Sequence, residues 1–232
     1  ESVYANNPSA AAVTVNPAGT RVYISPGAGI VNCATENKIR KCTINSSNGT
    51  LSSCGNASNA LCGIWGLAFN QANGLAYTIG TSDYINGPYR AYKSTVNSDG
   101  NLGSFTSIFS AATGETLVGI AIPKASTPAY ITNPYNSTPN TYNCAIDNSG
   151  NFSCSNGPST GMGTGGAKFI VTNKWGTSAY ICGGSNQYPF SSPYQIARCA
   201  IDPVTNNLTS CVNAGGPSMQ AATGIALWEG TR

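Results

Sequence analysis

The sequence predicts an all-β fold: a β-propeller of four four-stranded blades plus a fifth, two-stranded half blade formed by the N- and C-terminal strands. Three observations predict it. A hairpin motif recurs four times at nearly constant spacing, a second pair of strands follows each hairpin, and the two ends of the 232-residue chain carry the halves of one further hairpin. No stretch shows the periodicity of a helix.

Each repeat opens with a hairpin that is marked by a tyrosine. An apolar strand ends at an asparagine or a proline, a turn follows, and the tyrosine lies seven residues further on in the returning strand. The pairs are Asn16 and Tyr23, Asn70 and Tyr77, Pro123 and Tyr130, and Asn173 and Tyr180. Successive tyrosines are 54, 53 and 50 residues apart. This period is typical of propeller blades and too long for leucine-rich or hexapeptide solenoids.

The second half of each repeat predicts a third and a fourth strand. Third strands are expected at residues 41–45, 93–97, 143–147 and 198–202, each followed by a polar turn and a fourth strand near Leu51, Leu102, Phe152 or Leu208. Such sheets bury their faces against neighbouring sheets. We therefore expect one domain over residues 1–232, in four units of approximately residues 8–60, 61–113, 114–163 and 164–216.

The two ends of the chain carry complementary strands. Residues 223–229 repeat the first-strand motif, and residues 2–7 repeat the tyrosine strand without its first strand. Because unpaired strand edges invite pairing, we expect these segments to pair, either within one chain, which closes a ring, or between successive chains, which makes a fibre. The assembly residues predicted on this basis are Val3, Tyr4, Leu227 and Trp228.

Two of the tyrosine strands resemble a known repeat. Ala129-Tyr130-Ile131-Thr132-Asn133 and Val3-Tyr4-Ala5-Asn6-Asn7 are similar to the Tyr-Val-Thr-Asn strand of the YVTN-type β-propeller family. The resemblance extends over nearly the whole chain and implies a propeller of the surface-layer or secreted kind, with lactonase-like relatives. No catalytic residue of that family can be transferred to this sequence.

Six cysteines form a repeated pattern. Three of the four units carry one cysteine in the third strand and one in the fourth, so the expected disulfides are Cys42–Cys54, Cys144–Cys154 and Cys199–Cys211. The second unit has Ser94 and Phe105 instead. The absence of both cysteines from the same unit is expected if the two form a disulfide, because a single remaining thiol would be reactive in an oxidising compartment. Facing positions on antiparallel strands are close enough to bridge.

Three cysteines lie outside this pattern. Cys33 follows a second strand and Cys62 precedes a first strand. In a propeller both loops open on the same face, so we predict a disulfide between them. Cys182 is then either a buried free thiol or an intermolecular link.

Composition limits the compartment and the partners. Only 8% of the residues are charged and the net charge is +3, so the basic stripe that nucleic acid requires is not expected. No apolar run approaches the roughly 20 residues of a membrane helix. The sequence begins without a signal peptide, which suggests the mature form of a secreted or cell-surface protein. Nine cysteines with no histidine favour disulfides over zinc, and we expect no metal and no cofactor.

Sequons for N-glycosylation agree with a secreted protein, provided that the host glycosylates. Six are present, beginning at Asn45, Asn48, Asn56, Asn136, Asn151 and Asn207. In a chain rich in Asn and Ser several arise by chance, so they support the compartment and do not establish it.

The residues do not predict an enzyme. Without histidine the commonest general base is missing, and eight acidic residues provide few candidates for a carboxylate pair. Asp147 and Asp202 occupy the repeat position of Asn45, which favours a turn-capping role for their side chains. We expect no catalytic residue.

Long loops between the second and third strands remain as a candidate binding surface. Their tyrosines are Tyr84, Tyr89, Tyr135, Tyr188 and Tyr194. Tyrosine beside asparagine offers a flat apolar surface with hydrogen-bonding groups, suited to sugar rings or to a protein partner. The alternative is that these rings pack the loops onto the blades.

These observations favour a non-catalytic extracellular propeller that acts in assembly or binding. Its partners would be copies of itself, joined head to tail in a surface filament or layer through the terminal strands. The first alternative is a lectin-like carbohydrate-binding propeller whose partner is a glycan. The second is a lactonase-like hydrolase.

Overall fold

The computed structural model describes residues 10–26, 38–59, 61–81, 88–123, 128–134, 140–162, 167–183, 196–214 and 224–227. Within these ranges the chain forms four four-stranded antiparallel sheets, which confirms the all-β prediction. Each sheet is a meander in which sequential strands are neighbours. No helix of the described residues is long and apolar enough to cross a membrane.

The strands follow the predicted order of hairpins. Sheet 1 contains β1 (Ala10–Val15), β2 (Arg21–Pro26), β3 (Arg40–Ile44) and β4 (Leu51–Asn56). Sheet 2 contains β5 (Cys62–Asn70), β6 (Leu75–Thr81), β7 (Tyr89–Thr95) and β8 (Thr106–Ser110). Sheet 3 contains β9 (Ile120–Ala121), β10 (Ala129–Thr132), β11 (Thr141–Ile146) and β12 (Phe152–Asn156). Sheet 4 contains β13 (Phe169–Thr172), β14 (Ser178–Cys182), β15 (Ile196–Ile201) and β16 (Leu208–Asn213).

The sheets belong to two compact units. Residues Glu1–Ser110 form the first, which contains sheets 1 and 2, and Ala111–Arg232 form the second, which contains sheets 3 and 4. In the first unit Tyr23, Ile64 and Leu67 belong to one buried apolar cluster. In the second, Tyr130 and Ile181 belong to another. A tyrosine of one sheet thus lies in the core shared with the next sheet of the same unit.

The hairpin that opens a repeat is held by its asparagine. The Oδ1 atom of Asn16 accepts the backbone N–H of Thr20 at 2.9 Å, and Asn173 accepts that of Thr177 at the same distance. In the first of these turns Gly19 has a φ of +69°, a left-handed conformation that favours glycine. The seven-residue spacing from asparagine to tyrosine therefore reflects a fixed turn geometry.

The fourth strand of sheet 2 begins later than predicted. Leu102 forms only an isolated bridge with Val96, and β8 starts at Thr106. Between them Gly103 lies against β7, where a Cβ atom on this glycine would come within 2.4 Å of Oγ1 of Thr95. This close approach interrupts the ladder, so the strand resumes only after it.

The three disulfides that follow the repeat are confirmed. They are Cys42–Cys54, Cys144–Cys154 and Cys199–Cys211, with sequence separations of 12, 10 and 12. Cys182 is a buried free thiol, which bears out the first of its two predicted roles. Cys33 and the side chain of Cys62 lie outside the described residues, so their pairing stays a prediction.

Sheet 2 occupies the disulfide position with a polar and an aromatic side chain. The register pairs Lys93 with Thr106, and its continuation places Ser94 opposite Phe105. The hydroxyl of Ser94 donates to the Gly103 carbonyl at 3.0 Å, and Phe105 packs against the apolar cluster of the first unit. Non-covalent contacts thus replace the bridge in this sheet.

Candidate functional site

The hairpins between third and fourth strands are capped by the residues that the sequence assigned to turns. Oδ1 of Asp147 accepts the N–H of Asn151 at 2.8 Å, and Oδ1 of Asp202 accepts that of Thr205 at 2.7 Å. The backbone hydrogen bonds from Thr205 and its neighbour lower the pKa of Asp202. Asn45 caps its own hairpin in the same way, through Ser47. The turn-capping role of these residues is confirmed.

These hairpins receive the repeat tyrosines of the preceding sheet. The Tyr23 hydroxyl of sheet 1 donates to the Gly100 carbonyl in the last hairpin of sheet 2, at 2.8 Å. The Tyr130 hydroxyl of sheet 3 donates to the Asn206 carbonyl in the last hairpin of sheet 4, also at 2.8 Å. Both acceptor residues have positive φ, +79° and +57°. We call this arrangement the tyrosine–hairpin contact.

A second side chain supports each tyrosine–hairpin contact. It comes from the third strand, at the position paired with the tyrosine. Lys41, paired with Tyr23, donates through Nζ to the Asp99 carbonyl at 2.6 Å. Asn143, paired with Tyr130, accepts the N–H of Leu208 at 2.9 Å. The tyrosine and its third-strand partner thus hold the next sheet at two points.

The apolar part of the contact is a socket of two side chains on the receiving sheet. One lies in its first strand and the other just after its last hairpin. The socket residues are Leu67 and Leu102 for Tyr23, and Ile170 and Leu208 for Tyr130, and all four are buried in the same clusters as those tyrosines. The ring of Tyr23 also meets the ring of Phe69, with centroids 4.9 Å apart. The contact therefore combines directional hydrogen bonds with apolar burial.

Tyr180 of sheet 4 differs from the other repeat tyrosines. Tyr23, Tyr77 and Tyr130 are completely buried, whereas Tyr180 is only half-buried, and its hydroxyl has no hydrogen-bond partner among the described residues. Its third-strand partner Arg198 is exposed and donates through Nε to Ser178 at 3.3 Å. Val212, paired with Arg198, is also exposed. This face of sheet 4 presents the donor side of the contact to solvent.

A separate polar cluster lies in the second unit near the end of β10 and the start of β11. The Tyr142 hydroxyl donates to Oε2 of Glu115 at 2.5 Å, and Asn140 exchanges hydrogen bonds with Thr160 at 2.8 and 2.9 Å. Burial raises the pKa of Tyr142, and Glu115 raises it further, while the nearby Asn133 amide lowers it. Asn133 is completely buried, yet neither polar atom of its amide has a partner at hydrogen-bonding geometry among the described residues.

Most of the residues that the sequence assigned to binding and assembly cannot be compared with the structure. Of the loop tyrosines, only Tyr89 is described, half-buried at the start of β7, and Tyr84, Tyr135, Tyr188 and Tyr194 lie outside the described residues. Val3, Tyr4 and Trp228 also lie outside them. Leu227 is exposed, and residues 224–227 belong to no strand. The pairing of the terminal segments therefore stays a prediction.

The sequon asparagines can be compared in part. Asn45, Asn48, Asn56, Asn151 and Asn207 are exposed, and Asn136 lies outside the described residues. In the described part of the chain no group of three or more His, Cys, Asp or Glu side chains is placed to hold a metal ion. Sequence reasoning found the repeat tyrosines as markers but missed what they bind. The signal was present, since a glycine or asparagine precedes the fourth strand at the same place in each hairpin.

Comparison with known proteins identifies the fold and no more. No protein-family model matches the chain, and no curated protein matches its sequence. Among solved structures, an auxiliary nutrient-binding protein from Bacteroides thetaiotaomicron is similar with a TM-score of 0.62 at 13% identity, over 91% of this chain and 43% of that one. A second such protein, from Bacteroides ovatus, gives 0.53 at 15% identity, over 89% and 42%. A periplasmic gluconolactonase from Pseudomonas aeruginosa gives 0.53 at 9% identity, over 88% and 72%.

At such low identity these likenesses concern architecture alone. They support a β-propeller fold in which each four-stranded sheet is a blade. The chain spans less than half the length of either nutrient-binding protein. Binding proteins and a lactonase both use this fold, so function must be argued from this chain's own residues.

Proposed function

We propose that the chain is a non-catalytic extracellular propeller that acts by assembling with copies of itself, as a subunit of a surface filament or layer. The observation that carries the proposal is the open face around Tyr180. A tyrosine that is completely buried and hydrogen-bonded in sheets 1 and 3 is only half-buried here, and its hydroxyl has no acceptor among the described residues. A half-filled, repeating contact is a ready site for another copy of the same repeat.

The extracellular part of the proposal is supported by the disulfides. Three bridges across the outer strand pairs of sheets 1, 3 and 4 require an oxidising compartment to form and persist. The nearly uncharged surface, with 8% charged residues, agrees with a protein that packs densely with its neighbours. Exposed sequon asparagines such as Asn56, Asn151 and Asn207 would remain available to a glycosylating host.

Pairing of the terminal strands between copies is a second, separate route to the same assembly. Residues 2–7 would supply the tyrosine strand and residues 223–229 the first strand of a hairpin shared between successive copies. The repeat pattern in the sequence supports this arrangement. Leaving Val3 and Tyr4 unpaired would expose a strand edge, which proteins avoid.

Light scattering of the native chain over a wide concentration range tests the proposal. We expect the mass to exceed 23.7 kDa and to rise with concentration, with regular filaments or layers in electron micrographs. Deletion of residues 2–7 should lower the association if the copies join through the terminal strands, and should leave it unchanged if they join through the sheet faces. A single 23.7 kDa species at every concentration would remove assembly as the function and leave a monomeric binding module.

A second candidate function, binding of a small polar ligand, is favoured by one specific observation. The Asn133 amide is buried with neither polar atom at hydrogen-bonding geometry to a described residue, and a buried amide costs about 1–3 kcal/mol unless a donor and an acceptor satisfy it. A hydroxyl pair of a sugar would do so. Asn133→Leu should abolish binding to any sugar found on a glycan array, with Tyr89→Ala as the matched test of the loop tyrosines. If the native chain binds no glycan on the array, this candidate function is eliminated.

The lactonase-like alternative has a direct test. The Glu115 carboxylate accepts a hydrogen bond from the Tyr142 hydroxyl, which holds the carboxylate in place as an acceptor. We expect no hydrolysis of gluconolactone above the uncatalysed rate. Activity that depends on Glu115 would identify the chain as an enzyme.

A further inference from the structure

The open face of sheet 4 has a matching open face on sheet 1. We propose that sheet 1 of a second copy receives Tyr180 and Arg198, whose side chains donate to the Gly49 and Asn48 carbonyls while Val13 and Leu51 form the apolar socket. The inference rests on the proposed assembly function and names the surface and the partner for it. Because sheet 4 of one copy would bind sheet 1 of the next, the association would be heterologous, that is, head to tail.

The last hairpin of sheet 1 is built like the one that receives Tyr23. Asn48 and Gly49 occupy the positions of Asp99 and Gly100, three and two residues, respectively, before the equivalent leucines. The Asn48 side chain accepts the N–H two residues on at 3.0 Å, and that of Asp99 does the same at 2.8 Å. Gly49 has a φ of +72°, close to the +79° of Gly100. The carbonyl that accepts a tyrosine in sheet 2 thus has a counterpart in sheet 1.

The two hairpins differ in what covers them. Gly100 is buried under Tyr23 and Lys41, whereas Gly49 and Asn48 are exposed. No hydrogen bond to the Gly49 carbonyl is made by the described residues. Sheet 1 therefore carries the acceptors of a tyrosine–hairpin contact without its donors.

The apolar socket of sheet 1 is open as well. By repeat position Val13 corresponds to Leu67, and Leu51 corresponds to Leu102. Val13 is 65% exposed and Leu51 48%, whereas Leu67 and Leu102 are 5% and 6% exposed. The adjacent Val15 is also exposed, at 49%. Three large apolar side chains on one face of a low-charge protein indicate a surface that is covered by a partner.

The chemical groups on the two faces indicate which partner fits the open face of sheet 1. Sheet 4 presents an aromatic ring, a hydroxyl donor and a guanidinium, and sheet 1 presents apolar side chains and two backbone carbonyls. In each unit a tyrosine sheet already packs on a hairpin sheet through the tyrosine ring and hydroxyl, with Lys41 or Asn143 in the place that Arg198 takes in sheet 4. The partner that fits sheet 1 is thus a copy of sheet 4. Because the two faces are different surfaces, each copy can bind two neighbours, one through each face.

Mixing of two blocked variants tests this arrangement. Val13→Glu places a charge in the socket, and Arg198→Glu replaces the donor by a group that carbonyl oxygens repel. Both positions are exposed, so both variants should melt like the native chain. Each alone should raise the dissociation constant at least about tenfold, to a 23.7 kDa species where the native chain associates. An equimolar mixture should form a dimer and nothing larger, because each variant retains the face that the other lacks.

Val204→Glu is the matched control, since Val204 is an equally apolar and even more exposed residue on another surface, at 85%. It should associate like the native chain. The proposal fails if the native chain polymerises and the blocked variants do so too, which would leave assembly intact and move it to another surface. It fails together with the proposed function if the native chain stays monomeric. A glycan on Asn48 would also overturn it, and the intact mass of the same sample reveals one.

Discussion

Substitution of the repeat tyrosines by phenylalanine should have opposite consequences in different sheets. Tyr23→Phe removes a buried hydroxyl that donates to the Gly100 carbonyl at 2.8 Å, and leaves that buried carbonyl without its donor. Tyr180→Phe removes a hydroxyl with no partner among the described residues. The ring and its apolar contacts remain in both variants, so the pair isolates the hydrogen bond.

The magnitudes follow from the burial of the acceptor. Leaving a buried carbonyl unsatisfied costs about 1–3 kcal/mol, so we expect Tyr23→Phe to lower the free energy of unfolding by about 2 kcal/mol. For a chain of this size that corresponds to about 4–8 °C in Tm. Tyr180→Phe should change the free energy of unfolding by less than about 0.5 kcal/mol in the dissociated chain.

Urea titration followed by tyrosine and tryptophan fluorescence measures both variants, at concentrations where the native chain is dissociated. Tyr130→Phe, whose hydroxyl donates to Asn206, serves as a positive control in the second unit. Equal destabilisation by Tyr180→Phe and Tyr23→Phe would refute the reasoning, because it would mean that Tyr180 is already hydrogen-bonded within the chain.

Three further predictions concern the disulfides, the tyrosines and the free thiol. Replacing Cys144 and Cys154 together by serine opens a bridge of sequence separation 10 and should lower the free energy of unfolding by about 2–3 kcal/mol, measured by urea titration. Burial raises the pKa of Tyr130, so its contribution to stability is complete below the unfolded pKa of about 10 and is lost as the pH rises through the folded pKa. Stability should thus decline in alkali, and less steeply in Tyr130→Phe. Cys182 is buried with its pKa raised to about 11, so iodoacetamide at pH 8 should label it only after unfolding, as peptide mapping would report.

The repeat could be predicted from the sequence because only a few residue types fit the conformations of these turns. The asparagine that caps a hairpin and the tyrosine seven residues later mark three of the four sheets, as at Asn16 and Tyr23. The disulfides were readable because cysteine is lost in pairs, as at Ser94 and Phe105. Both patterns involve residues that are close together in the chain, so they can be recognised in a single sequence.

The proposed assembly faces of sheets 1 and 4 could not be predicted from the sequence in the same way. Tyr180 occupies the same repeat position as Tyr23, and the two differ in exposure and in the hydrogen bond of the hydroxyl, which only the folded chain shows. Likewise the interrupted ladder at Gly103 depends on a close approach to Thr95 that no spacing rule encodes. Burial and register are properties of the folded chain, which explains why the sequence alone did not point to these sheet faces.

The most direct test of the account is electron cryomicroscopy of the native assemblies at a resolution that shows side chains. The account predicts that sheet 4 of one copy packs on sheet 1 of the next, with the Tyr180 hydroxyl as close to the Gly49 carbonyl as the 2.8 Å seen between Tyr23 and Gly100. Assemblies joined through any other surface, or single particles in which Tyr180 contacts Gly49 of its own chain, would contradict it.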